Sequence, residues 1–171
     1  MLRLRPYKPC DAEAITSWIK DETTFYRWSA GKYEKYPVTA EDMNAFYDAN
    51  AFSDSFFEMT AFDGDGVAGH LIMRFPDENK KMVRFGFIIV DDGRRGKGYG
   101  RQMLQLAIKY AFEILMADRI TLGVFEDNIP AYRCYQSVGF QETGRIERYR
   151  IAGEEWKCKE LELLRPDRCG E

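Results

Sequence analysis

Apolar and polar residues alternate at the start of the chain, Leu2-Arg3-Leu4-Arg5, which predicts a first strand ended by Pro6 and Pro9. Asp11 then stands where it can cap a helix with Ala14, Ile15, Trp18 and Ile19 on one side. From Asp21 to Pro37 the aromatics Phe25, Tyr26, Trp28, Tyr33 and Tyr36 follow no clean period, so the stretch reads as a loop with a helical turn. Thr39 and Asp42 open a second helix carrying Met43, Phe46 and Tyr47. Residues 56–62 and 67–75 are strand-like runs around Asp63-Gly64-Asp65-Gly66, a hairpin signal. The stretch 82–91 is apolar on both faces at its centre and predicts a central, covered strand. From near Gln102, the residues Met103, Leu104, Ala107, Ile108, Ala111, Ile114 and Leu115 recur at helical spacing. Another strand follows over 119–125, and a short helix starts at Asn128 and stops at Gly139. Two closing strands, 140–150 and 154–164, turn at Ala152-Gly153. This order predicts an α/β (α+β) domain spanning residues 1–171. Its mixed, mostly antiparallel sheet has six to seven strands flanked by about four helices.

Composition narrows the class. With 171 residues the chain can bury one substantial core. No apolar run approaches the roughly 20 residues that span a bilayer, so a membrane partner is not expected. Charges sit where a signal peptide needs its apolar segment, and Cys10, Cys134, Cys158 and Cys169 are dispersed with His70 the one histidine. Neither a metal site nor a disulfide framework is expected, and reduced thiols in the cytoplasm are the plain reading. The net charge of −3 hides an asymmetry: residues 80–101 carry a net of +5, residues 1–60 a net of −3. A basic loop beside an acidic third suits a polyanionic cofactor facing a cationic substrate, or two solvated faces. The basic cluster is short and the pI is 5.4, which argues against a nucleic-acid partner.

The basic stretch also carries the chemistry. Arg94-Arg95-Gly96-Lys97-Gly98-Tyr99-Gly100-Arg101 lies between a predicted strand and a predicted helix. Glycines admit close backbone approach, and the unpaired N–H groups of a first helical turn point at an anion. A Walker loop needs Ser or Thr where Gly98 stands, and a dinucleotide fingerprint needs glycine where Arg101 stands. What remains, Arg95-x-x-Gly98-x-Gly100, resembles the pyrophosphate loop of the GNAT superfamily of acyl-CoA N-acyltransferases. Asn128-x-x-Ala131-x-x-x-Tyr135-x-x-x-Gly139-Phe140 resembles the fourth helix of that superfamily, in the expected order after the loop and the next strand. Together the two motifs cover residues 82–140.

The resemblance implies a GNAT-like fold, acetyl-CoA as cosubstrate, no metal, and direct acetyl transfer to an amine. It implies that the backbone of Ile88, Ile89 and Val90 pairs with pantetheine. It implies too that Arg95, Gly96, Lys97, Gly98, Tyr99, Gly100 and Arg101 cradle the pyrophosphate, with Lys97 and Arg101 adding charge or standing solvated. Asn128 hydrogen-bonds the cofactor, caps its helix, or does both. Tyr135 corresponds to the residue that protonates the departing thiolate, and a phenol, neutral at pH 7, suits that task. Tyr132 packs or touches cofactor. Cys134 has a base candidate only in His70 and reads as inert. Some relatives carry a glutamate where this chain has Gly123, others where it has Arg84, which leaves Glu58, Glu126 and Asp91 as candidate bases. The chain's two ends resemble the branch holding ribosomal-protein N-terminal, polyamine and small-molecule acetyltransferases, so the acceptor is a protein N-terminus or a small amine. Trp18, Phe25, Tyr26, Trp28, Tyr33, Tyr36 and residues 154–156, with Asp21 and Glu22, either hold that amine or close the core. A monomer and a homodimer both fit. A non-catalytic acyl-CoA-binding module of the same fold is the other reading.

Overall fold

The computed structural model describes residues 1–167; Cys169 lies outside them. Seven strands form one sheet: β1 (Arg3–Pro6), β2 (Phe56–Asp63), β3 (Gly66–Arg74), β4 (Met82–Val90), β5 (Arg119–Phe125), β6 (Gln141–Ile151) and β7 (Glu154–Leu164). Their order is β1-β2-β3-β4-β5-β7-β6. Every neighbouring pair is antiparallel except β4 and β5, which run parallel. The helices are α1 (Ala12–Ser17), α2 (Glu22–Ser29), α3 (Ala40–Asp48), α4 (Tyr99–Glu113) and α5 (Ile129–Ser137). The helix beyond the expected four is α2.

The sequence reading of Asp21–Pro37 as a loop with a helical turn is corrected at that helix, which runs eight residues. The Asp21 carboxylate accepts the Thr24 N–H at 2.7 Å and caps α2. The helix ends at Ala30, in the left-handed region at φ 48. Phe25 and Trp28, three residues apart, supply its buried face, and the neighbouring Tyr26 masked that spacing. Asp11 does not cap α1 either. Its carboxylate takes both Arg5 amines at 2.7 and 2.8 Å and the Thr60 hydroxyl at 2.8 Å, tying β1 to β2. Thr39 and Asp42 do open α3, through a reciprocal cap. The helix after the glycine loop begins at Tyr99, three residues earlier than its apolar period suggests.

Two cores lie on opposite faces of the sheet, which explains why β4 is apolar on both faces from Phe85 to Val90. Val83, Phe85, Ile88 and Val90 pack with Met103, Leu104 and Ala107 of α4 on one face. Phe87 and Ile89 pack with Ile15, Phe25, Trp28 and Met43 of α1–α3 on the other. The switch between faces is a bulge. Gly86 pairs with Ile72 and Ile89 with His70, so β4 carries one extra residue there. Phe87 absorbs the kink at φ 47, and the Trp28 indole N–H donates to its carbonyl at 3.1 Å.

His70 is fully buried, and its Nε2 shares a hydrogen bond with the Tyr47 hydroxyl at 2.6 Å. Burial pushes the imidazole down to about 4, against smaller upward pulls from the Met59 backbone and Asp11. The folded state therefore keeps His70 neutral where an unfolded chain, with its imidazole near 6.5, takes up a proton. Stability present above pH 6.5 should fall toward pH 4, by about 1.4 kcal/mol per unit at the steepest. Urea titrations between pH 7 and pH 4 on the wild type and a His70→Gln variant measure it. Identical pH slopes in the two proteins would reject this origin.

Candidate active site

Strands β4 and β5 are in register over only three pairs, Met82 with Arg119, Val83 with Ile120 and Arg84 with Thr121. β5 stays paired to β7 as far as Phe125. Beyond Arg84 the two parallel strands part, and the edge of β4 from Phe85 to Val90 has no strand beside it on the β5 side. The wedge opens into a cavity of about 960 Å³ that runs from the glycine loop to the face carrying α2.

At one end stand Arg95, Gly96, Gly98, Tyr99, Gly100 and Arg101. Gly96 and Gly98 adopt φ 75 and 81, a region that L side chains rarely enter. Gly98 starts α4, whose first turn has neither a side-chain cap nor an acidic residue. The first helical bond runs from Gln102 N–H to the Gly98 carbonyl, leaving the N–H groups of Tyr99, Gly100 and Arg101 ahead of it. An anion fits there. A Cβ on Gly100 would lie 3.4 Å from Cys134 Sγ, so a small residue also lets α4 and α5 approach.

The loop is pinned from behind. Arg94 meets Asp63 of the β2–β3 hairpin at 2.7 Å, and the Tyr99 hydroxyl donates to the same carboxylate at 2.9 Å. Arg94 holds Asp63 down to about 2, with help from the Asp65 N–H and Tyr99. Arg94 and Tyr99 thus orient the loop, while Arg95 and Arg101 are in no ion pair among the described residues. Lys97 is exposed and does not line the cavity.

Deeper in the wedge the cavity is lined by Ile88, Ile89 and Val90 from β4 and by Asn128, Cys134 and Tyr135 from the start and body of α5. Asn128 begins α5, but its side chain makes no capping hydrogen bond and is left free toward the cavity. Tyr135 is 7% exposed, its ring against Phe140, and burial raises its phenol well above the ordinary value. It keeps its proton at any ordinary pH. Tyr132 points elsewhere. Its hydroxyl donates to Glu142 at 3.0 Å and its ring lies under Lys159, so it joins α5 to the last two strands rather than lining the cavity. Burial raises the Cys134 thiol too, and His70, engaged with Tyr47, does not line the cavity.

The positions where some relatives carry glutamate are closed off here. A Cβ on Gly123 would lie 2.8 Å from Cys158 Sγ and 3.3 Å from the Arg84 guanidinium. Arg84 is itself held by Glu160 at 2.8 Å. Among the sequence candidates for a base, none lines the cavity. Asp91 accepts the Gly93 N–H at 2.9 Å and pairs with Arg94, Glu126 is exposed beyond β5, and Glu58 lies on β2, its carboxyl raised by burial. The one carboxylate of the lining among the described residues is Glu147 of β6, which accepts the Tyr149 hydroxyl at 2.8 Å. Sequence reasoning missed it because a glutamate on an exposed, polar strand carries no signal until pairing with β7 brings it to the cavity. Of the aromatics expected around the acceptor, Trp28 reaches the cavity, whereas Trp18, Phe25 and Tyr33 are buried in the α1–α3 core. Among the described residues no group of three or more His, Cys, Asp or Glu is placed to hold a metal ion.

A splayed pair of parallel strands, a glycine loop at a helix start and a buried tyrosine facing one cavity define a site for a phosphate-bearing, extended ligand. The acetyltransferase (GNAT) domain family matches residues 1–141, and the chain belongs to that family. It is 36% identical over 104 residues to the spermine/spermidine N(1)-acetyltransferase of Bacillus subtilis, covering 58% of this chain and 66% of that relative. It is 31% identical over 100 residues to an L-amino acid N-acetyltransferase of Escherichia coli, covering 57% of this chain and 60% of the other. The fold matches that of a Vibrio cholerae spermidine N-acetyltransferase solved with CoA and spermine. The TM-score is 0.80 at 22% identity, over 95% of both chains. No helix of the described residues is long and apolar enough to cross a membrane.

Proposed function

We propose that this protein transfers the acetyl group of acetyl-CoA directly to a primary amine. The observation that carries the reading is that the glycine loop, the free edge of β4 and the Tyr135 ring all face one cavity. Backbone N–H groups at Gly96, Gly98 and Gly100 would hold the pyrophosphate, with Arg95 and Arg101 adding charge-assisted contacts and Lys97 acting at longer range. The unpaired edge of Ile88, Ile89 and Val90 would take the amides of the pantetheine arm, and Asn128 would orient the thioester. Bound acetyl-CoA supplies an activated acyl group.

In the transfer, the C–N bond forms as the C–S bond breaks. Tyr135 gives its hydroxyl proton to the departing sulfur, and the proton that the nitrogen sheds as it becomes an amide returns to the phenolate. The acceptor must lose a proton before attack, because free alkylamines are mostly protonated at neutral pH. Glu147, beside Tyr149, is the group we assign to receive it. Cys134 is not a nucleophile in this scheme, since a raised thiol without a base is poorly reactive. The relatives named above act on polyamines and on amino acids, and a primary amine is common to both.

Thiol release from acetyl-CoA tests the proposal, measured against polyamines, amino acids, aminoglycosides and peptides with free N-termini. CoA should appear only when an amine is present. Acetyl-CoA binding without thiol release from any acceptor would favour a non-catalytic binding module instead.

A further inference from the structure

Arg74 and Arg84 are register partners on β3 and β4, so their side chains leave the same face of the sheet directly opposite one another. Like charges in that position repel. Both line the cavity. Arg84 is answered by Glu160 at 2.8 Å and also donates to the Thr121 hydroxyl at 3.3 Å. Arg74 makes no ion pair or side-chain hydrogen bond among the described residues, although it is half-buried. Burial and the neighbouring Arg84 both pull its guanidinium down. Glu58, one register pair along on the same face opposite Ile72, does not reach it as an ion pair. Glu147 accepts from Tyr149 and pairs with neither arginine.

An uncompensated, partly desolvated cation facing a second cation lowers stability, and an apolar side chain would fill the place without that penalty. It is also far from the phosphate end. Arg84 to Val90 is six steps of strand, roughly 20 Å at about 3.3 Å per residue. The cavity therefore has two separate cationic ends. The lining as a whole carries seven arginines and lysines against Glu147, among the described residues. Of the carboxylates that could hold a cationic amine, Asp21 caps α2, and neither it nor Glu22 lines the cavity.

We propose that Arg74, with Arg84 beside it, is the subsite for a carboxylate on the acceptor, so that the preferred acceptor is an amino acid or another amine bearing a carboxylate. This rests on the acetyl-transfer reading above and names its acceptor class. Glu160 already neutralises Arg84, so one positive charge is left over, which matches a single carboxylate rather than a phosphate dianion. The guanidinium fork binds a carboxylate through two parallel N–H···O bonds. Trp28, Phe56 and Phe87 line the same cavity and exclude water from such a pair. A polyamine would bring several positive charges to a face that already carries one too many.

The test compares kcat/KM for α-, β- and γ-amino acids, each against its own carboxamide, with spermidine as a third arm. In the wild type at least one acid should exceed its amide by about tenfold or more and exceed spermidine; a charge-assisted hydrogen bond of about 1.5–3 kcal/mol corresponds to that range. In Arg74→Gln the acid-to-amide ratio should collapse toward one, while Arg74→Lys restores part of it. Acetyl-CoA affinity and Tm of each variant separate a lost subsite from a misfolded protein, and the wild-type ratios stand even where a variant does not fold. Amides or spermidine used in preference to every acid would overturn the inference and leave acetyl transfer standing. Silence from every amine would overturn both.

Discussion

Replacing Tyr135 with Phe should lower kcat by about 10²–10⁴, the range of general acid–base contributions, and leave acetyl-CoA affinity where it was. The substitution removes one oxygen and keeps the ring that packs against Phe140. The hydroxyl makes no hydrogen bond among the described residues, so its loss orphans no buried partner. Stability should stay level for the same reason. Because burial raises the phenol, Tyr135 remains protonated through the assay range and sets neither limb of the pH–rate profile. Single-turnover rates with saturating acetyl-CoA, beside calorimetric binding of CoA, give the two numbers needed. Parallel losses in rate and affinity would make Tyr135 a binding or packing residue, and an unchanged rate would end its assignment as proton donor.

Gly98→Ala should weaken acetyl-CoA binding by about tenfold or more. An L residue held in the left-handed region costs roughly 1–2 kcal/mol, and each 1.4 kcal/mol is a factor of ten. Gly98 sits there at φ 81, at the start of α4, with its backbone lining the cavity. If the loop relaxes to relieve the strain, the N–H groups at Gly96, Gly98 and Gly100 no longer converge. Gly153→Ala is the matched control. It has nearly the same φ of 80, at the tip of the β6–β7 hairpin, and does not line the cavity. Both variants should lose a few degrees of Tm, and only Gly98→Ala should lose affinity. Equal affinity losses would mean that general destabilisation, not loop geometry, was being measured.

The elements visible beforehand were those whose local chemistry agrees with their tertiary role. The β2–β3 hairpin announces itself through Asp63-Gly64-Asp65-Gly66, and the Thr39–Asp42 cap fixes the start of α3. β5 occupies the predicted residues 119–125, where Ile120, Leu122, Val124 and Phe125 are buried. What stayed hidden depends on distant partners. α2 reads as a loop because aromatics on both its faces find places, Phe25 in the core and Tyr26 against Trp156 of β7. Asp11 looks like a cap, but Arg5 and Thr60 claim it once β1 and β2 pair. The site divides the same way. The glycine loop and Tyr135 are motif-borne and legible, whereas Tyr132 leaves the cavity because Glu142 and Lys159 hold it outside. Glu147, Arg74 and the three-pair limit on β4 and β5 belong to register, which a single sequence does not state.

That three-pair limit has a mechanical side. The sheet consists of a four-stranded and a three-stranded piece, hinged along one short parallel seam at Arg84 and Thr121. An extended ligand lying against the open edge of β4 would take the place of missing strand pairing. Its binding energy would then also be cohesion between the two pieces, gained in proportion to RT ln(1 + [L]/Kd). The cell's supply of such a ligand would thus govern both how often the protein turns over and how firmly its halves are clasped.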